Sequence, residues 1–281
     1  MSGLQNVAIA GVVVKELLAS GFNITALQRP ASTATFPDGV NVKRVIHDSF
    51  DSWTMALEGQ DAVISFLVPP ATDYQNLAAE AAVAAKVKRF IPSEWSMDTT
   101  ILGDTTFGKL LSDKTSTHDN LYKLSTQNEF FSWTGISTGL WFDWGLEHLS
   151  LSFDKSTRTA EIADSGVEKF QTSNLGFVAK VVAAVLNNPT QTCDKYIPMA
   201  SFNISQVEIL ALAEKALGEK WTAKPYKVSD AQRAAKDALA KGDLDAAFYP
   251  LLHGRLLRDG AGLALQHGQN FATGVLELRC D

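Results

Sequence analysis

The sequence predicts an α/β protein: a doubly wound parallel sheet followed by a smaller C-terminal α+β lobe. Three observations carry this reading. Short apolar runs alternate with helical stripes from Val7 to Trp95. The first of them stand in the order strand, helix, strand. Past Gly139 the regular alternation stops, and aromatic-rich and polar segments replace it.

Val7 to Ala10 reads as a fully buried parallel strand, apolar and partly β-branched. Val13, Val14, Leu17 and Leu18 recur at helical spacing, and Gly21 stands where a left-handed residue ends a helix. Phe22 to Arg29 is the second strand. Strand, helix and strand in this order open a Rossmann-type, dinucleotide-binding sheet. The glycine-rich turn of such units has shrunk to Gly11, which leads directly into Val12. Glycines there let the backbone approach a pyrophosphate at the helix N-terminus. The short turn is either a genuine brief connection or a deletion.

Arg29 lies at the carboxyl end of the second strand, before Pro30. Ligands gather at that edge of open sheets, and an arginine there suits the 2′-phosphate of NADP; a solvated strand-end cation is the alternative. Val40 to Ile46 reads as a third strand. Asp48 to Ser52 offers N-caps for a helix carrying Trp53, Ala56 and Leu57 and ending at Gly59. Asp61 to Val68 is a fourth strand, stopped by Pro69-Pro70, and its end at Ser65 and Phe66 would face a cofactor; Phe66 could equally be core. Tyr74 to Ala85 is an alanine-rich helix with Lys86 where a glycine would ordinarily end it. Val87 to Trp95 is the fifth strand, Lys109 to Ser125 a helix, and Phe130 to Ser137 a sixth strand closed by Thr138-Gly139.

Trp141, Phe142 and Trp144 then crowd into what reads as a loop, either a lobe interface or a wall for a flat aromatic substrate. Residues 174–188 form an amphipathic helix, Tyr196 to Met199 a short extended piece, and Ser205 with Glu208 a capping box opening a helix to Leu217-Gly218. Ser229 to Lys241 reads as an exposed helix, and the chain ends at Asp281 without a clear closing helix. The dinucleotide-binding domain is thus expected over residues 1–139. Residues 140–281 would form mainly the substrate lobe, with the 174–188 helix packing back on the first domain.

The net charge of −6, with no basic cluster, argues against nucleic acid as partner. Two cysteines far apart in sequence, Cys193 and Cys280, fit a reducing compartment, and no apolar run has the length of a signal peptide or membrane span. A cytoplasmic location is expected. No metal-ligand spacing and no Gly-x-Ser-x-Gly motif occurs, and none of the tyrosines has a lysine four residues on, so the short-chain-dehydrogenase Tyr-x-x-x-Lys pair is absent.

Val7 to Gly11, Arg29, the run Val87-Lys88-Arg89-Phe90-Ile91-Pro92-Ser93-Glu94-Trp95 and Asp113-Lys114 together resemble the NmrA-like, isoflavone-reductase-like family. The resemblance covers almost the whole chain. It implies a Rossmann domain with a small substrate lobe, NADP(H) as cofactor and reduction of a small phenolic or other secondary metabolite. A non-catalytic NADP-binding regulatory protein is the alternative, and a homodimer is compatible with either. By the same resemblance Lys114 is the general acid or base, Arg29 meets the 2′-phosphate, and Ser93 and Glu94 lie beside the nicotinamide. His118, one turn on, is either a proton relay or an exposed side chain. The chain departs from the family in its single Gly11, in Lys86 and in its short C-terminus.

Overall fold

The computed structural model describes residues 3–9, 13–68 and 71–265. In chain order its first elements are β1 (Asn6–Ile9), α1 (Val14–Ala19), β2 (Asn23–Gln28), β3 (Asn41–Arg44), α2 (Phe50–Leu57), β4 (Ala62–Ile64), α3 (Gln75–Ala84) and β5 (Arg89–Ile91). There follow α4 (Thr106–Leu110), α5 (Ser112–Gln127), β6 (Ser132–Ser137), β7 (Leu140–Trp141), α6 (Phe142–Glu147), β8 (Phe153–Asp154), β9 (Thr159–Ala163) and β10 (Phe170–Ser173). The last are α7 (Leu175–Asn187), β11 (Lys195–Pro198), β12 (Phe202–Ile204), α8 (Gln206–Leu217), β13 (Thr222–Tyr226), α9 (Val228–Ala240) and α10 (Leu244–Leu256).

Seven strands form one parallel sheet in the order β11-β6-β5-β4-β1-β2-β3. The order reverses between β1 and β4, and in open sheets the crevice beyond the strand ends at such a point is where ligands bind. Both faces are covered, which is why these strands read as continuous apolar runs. Val7, Ile9, Ala62, Ile64 and Ile91 face a core shared with α1 and α7. Ala8, Val63 and Phe90 face the opposite core, under α2, α3 and α5. α7 packs on α1, and β11 pairs with β6, so the extended piece at Tyr196 rejoins the sheet. The remaining strands form two three-stranded sheets, β12-β10-β7 and β13-β9-β8, around a third core closed by α8, α9 and α10.

Local chemistry sets the element ends. The Ser49 hydroxyl caps α2 by accepting from the Ser52 N–H, and the capping box at Ser205 and Glu208 is formed, with Gly218 left-handed at the far end of α8. Gly139 turns the chain from β6 into β7 at φ +65°, where a Cβ would collide with the Gln171 carbonyl. The expected helix from Lys109 begins instead at Ser112, because Thr105 caps the separate short α4, which ends at Leu111. The third strand is shorter than expected and exposed, as an edge strand is.

Lys86 takes the glycine's place after α3 by adopting φ +62°. Its N–H donates to Val83 and that of Val87 to Ala82, the pattern of a left-handed helix end. A left-handed non-glycine residue costs about 1–2 kcal/mol. The Lys86 ammonium, 4.6 Å from the Phe130 ring centroid, returns part of it, about 0.5–1 kcal/mol at an exposed site. Lys86→Gly is therefore expected to stabilise the protein by about 0.5 kcal/mol. A thermal melt checks this, and a fall in Tm would contradict it.

Candidate active site

The site is built where β4 and β5 end. Ser65 extends the ladder one residue past β4, its N–H donating to the Ile91 carbonyl at 2.8 Å, while its own carbonyl accepts from the Trp95 indole at 2.7 Å. Phe66 stacks on Trp95 with centroids 4.3 Å apart and planes within 6°. Beyond β5, Pro92 has no N–H to continue the ladder, and the Ser93 N–H turns to Gln75 Oε1 of α3 at 2.7 Å. That bond fixes the next residue, Glu94, inside the protein.

Glu94 is 2% exposed. Its Oε2 accepts from the Thr99 hydroxyl at 2.5 Å and the Tyr196 hydroxyl at 2.8 Å; its Oε1 is buried with no partner among the described residues. Lys114 stands in the first turn of α5, half-buried. Burial lowers its ammonium below the usual lysine range, while the Glu94 charge pulls the other way. No hydrogen bond or ion pair reaches that ammonium among the described residues. Its neighbour Asp113 is turned to Thr72, whose hydroxyl donates to it at 3.0 Å. His118, one turn on, sets its ring edge-on to Trp133 at 4.7 Å, with Tyr196 at 6.4 Å.

Arg29 lies further along the same sheet edge, exposed past β2. Its carbonyl accepts from Arg44 Nη1 at 3.0 Å, and the same nitrogen donates to Ser32 O at 2.7 Å, so Arg44 shapes the loop. The Arg29 guanidinium itself has no protein partner among the described residues. Burial, then the charge of Arg29, hold His47 below the ordinary histidine value. Gly11 lies outside the described residues, as do Pro69, Pro70 and the stretch from 266 to 281.

The three clustered aromatics do not form a loop: Trp141 and Trp144 keep edge-on ring contact at 6.4 Å, and Phe142 turns away from them. Trp141 ends β7 beside Phe66, centroids 6.4 Å apart. Phe142 opens α6 and packs edge-on to Phe202 in the C-terminal core. Trp144 stacks on His148 at 4.2 Å and is 36% exposed. A cavity of about 560 Å³ lies between α6 and α8, lined by Phe142, Leu146, Phe153, Leu212 and Trp221, and includes neither Lys114 nor Glu94. A smaller one, about 330 Å³, is lined by Met97, Asp98, Gln171 and Leu256, just past Glu94.

Ser65, Phe66, Ser93, Glu94 and Lys114 thus gather at one end of the sheet, with Arg29 on its other half. Thr99, Gln75 and Tyr196 belong to the same site and carry no sequence signal of it. Among the described residues, no group of His, Cys, Asp and Glu could hold a metal ion, and no helix is long and apolar enough to cross a membrane.

This strand order, with a polar site at the carboxyl edge and an appended α+β lobe, defines a Rossmann-type protein. Residues 8–233 match the NmrA-like family, and the chain belongs to it. Oxidoreductase poxI of Penicillium oxalicum is 31% identical over 210 residues, 74% of this chain and 67% of that protein. Oxidoreductase aprR of Aspergillus flavus is 29% identical over 227 residues, 79% of this chain and 75% of that one. Among solved structures, AtPrR2 with NADP+ and (+)pinoresinol superposes with a TM-score of 0.77 at 17% identity, covering 100% of this chain and 97% of that one. An isoflavone reductase gives 0.76 at 16% identity, covering 99% and 96%. The ternary complex of leucoanthocyanidin reductase from Vitis vinifera gives 0.74 at 16%, covering 94% and 91%. At these identities the structural likeness is one of fold.

Proposed function

We propose that the protein is an NADPH-dependent reductase of a small aromatic or secondary-metabolite substrate, with Lys114 as the general acid. The observation that carries this is a half-buried lysine with a lowered pKa, next to a buried carboxylate, at the ligand-binding edge of a Rossmann sheet. Two relatives named as oxidoreductases, and a neighbour of like fold that holds NADP+ and (+)pinoresinol, support the same reading.

The residues present fit the cofactor. Arg29 offers an exposed guanidinium with no protein partner, suited to a 2′-phosphate. Ser65, Phe66, Ser93 and Glu94 would border the nicotinamide end, with Gly11 at the pyrophosphate. Bound in reduced form, the nicotinamide supplies a hydride. Lys114 Nζ then delivers a proton to the oxygen of the substrate that gains charge, and solvent reprotonates the amine. The stacked Phe66 and Trp95, with Trp141 beside them, would form a flat apolar wall that excludes water and orients an aromatic ring. Trp144, edge-on to Trp141, would contribute from the lobe side, whereas Phe142 is taken up by the C-terminal core.

The test is consumption of NADPH, followed by absorbance, across ketones, phenolic ethers and other electrophilic aromatics. Turnover of one member supports the reading. Tight cofactor binding with no turnover on the whole panel would favour a regulatory NADP-binding protein instead. NADPH is also expected to raise Tm more than NADH does. In Arg29→Ala the affinity for NADPH should fall about tenfold or more, about 1.4 kcal/mol, with NADH unaffected. Equal responses to both nucleotides in the wild type would remove Arg29 from the site.

A further inference from the structure

The two oxygens of Glu94 have different surroundings. Oε2 takes both hydroxyl bonds, from Thr99 and Tyr196, while Oε1 is buried and bare. A buried acceptor without a donor costs about 1–3 kcal/mol, more when charged. Such an atom in a polar site is matched to a donor that arrives or is held nearby.

Tyr196 is placed for this bond by the sheet. It sits on β11 opposite Gly135 of β6, and only a residue without a side chain fits beneath its ring. A Cβ on Gly135 would lie 2.6 Å from that ring. The Thr99 N–H donates to the phenol oxygen at 3.3 Å, which leaves the phenol proton for Glu94. Burial and the Glu94 charge keep that phenol well above the ordinary tyrosine pKa, so it remains a donor and does not ionise in the working range.

We propose that Tyr196, together with Thr99, is a positioning residue: the two hydroxyls clamp Oε2 of Glu94 and reserve Oε1 as the counter-charge of the Lys114 ammonium. The sense of this is chemical. A lysine enclosed in a site drifts toward its neutral amine, which has no proton to give. A fixed carboxylate beside it holds the proton in place until the reaction takes it. The charged and titratable groups on and against α5 come from several elements. Glu94 comes from the segment after β5, Asp98 precedes the turn at Thr99–Ile101, Asp113 and His118 belong to α5, and Tyr196 to β11. Asp113 is occupied by Thr72, and His118 packs on Trp133. The turn Ala71–Tyr74, which also packs on α5, brings Asp73 and Tyr74; α3 presents Gln75 and Asn76, and β6 presents Trp133.

The proposal rests on the reductase reading for its catalytic meaning, but its test needs no turnover. The full chain is labelled with 13C at lysine Cε, and the Lys114 resonance is assigned by its loss in Lys114→Arg. In Glu94→Gln its titration should move to lower pH by about 1–3 units. In Tyr196→Phe it should move the same way by a smaller step, with Tm lowered by the lost bond but unfolding still cooperative, because a carboxylate held by Thr99 alone is less firmly in place. Thr99→Val should behave like Tyr196→Phe. A Lys114 that titrates at the wild-type pH in Tyr196→Phe overturns the clamp, and this variant decides alone should Glu94→Gln fail to fold. A wild type with no turnover defeats the reductase reading and leaves the titration standing. Turnover with an unmoved lysine defeats the clamp alone.

Discussion

Lys114→Ala lowers turnover about 10²–10⁴-fold, the usual contribution of a positioned general acid, and leaves NADPH affinity within about twofold. The asymmetry follows from where the side chain stands. Its ammonium makes no hydrogen bond or salt bridge among the described residues, and only the charge of Glu94 acts on it, so the cofactor site keeps its shape. What is lost is the proton donor. The pH profile of reduction carries the same signature. Reduction needs the ammonium, so activity is present below the Lys114 pKa and is lost as pH rises through it. Burial sets that descending limb below the ordinary lysine value, and Glu94 limits the fall. Initial rates of NADPH consumption from neutral to alkaline pH would show the limb in the wild type. Unchanged turnover in Lys114→Ala, at equal cofactor saturation, would remove this residue from the mechanism.

Arg89→Met is expected to destabilise the protein by about 2–4 kcal/mol. Arg89 is 1% exposed and has no carboxylate partner among the described residues. Its guanidinium instead donates to Ser132 Oγ at 2.9 Å, Thr134 Oγ1 at 2.8 Å, Thr192 Oγ1 at 2.9 Å and the Pro189 carbonyl at 2.6 Å. One side chain thereby ties β5 to β6 and both to the segment between α7 and β11. Methionine fills the apolar volume but returns none of these bonds and orphans the Pro189 carbonyl. Bonds to a charged group are worth about 1.5–3 kcal/mol each, and burial of the bare cation offsets part of their sum. Urea unfolding would show a lower midpoint at an unchanged slope. Because β11 carries Tyr196, a loosened β6–β11 pairing should also reach the Glu94 site. A midpoint within error of the wild type would contradict the role given to Arg89.

The first half of the fold was legible because its strands are buried on both faces. Val7-Ala8-Ile9 and Ala62-Val63-Ile64 feed one core with their odd or even members and the opposite core with the rest, so they stand out as unbroken apolar runs. The C-terminal lobe was less legible for two reasons. β8 spans only Phe153–Asp154, and β10 pairs with partners remote in sequence, β7 and β12, which no local pattern announces. α10 went unread because it carries Pro250 and buries Ala247, Leu251, Leu252 and Leu256 without a clean polar face. Within the site, Lys114 and Glu94 stood out only through resemblance to a family, since a lysine on a polar helix and a glutamate after a strand have no chemistry of their own. Tyr196 could not be found at all. Its role depends on β11 returning to pair with β6 across Gly135, a contact made by tertiary structure alone.

A reductase of this kind must hold a phosphorylated nicotinamide nucleotide at the carboxyl edge of the sheet. Calorimetric titration of the full chain with NADPH and with NADP+ measures this binding directly. A single site of micromolar or tighter affinity, weakened in Arg29→Ala, is the expected result. No heat of binding for either nucleotide, from a protein that still melts cooperatively, would contradict it.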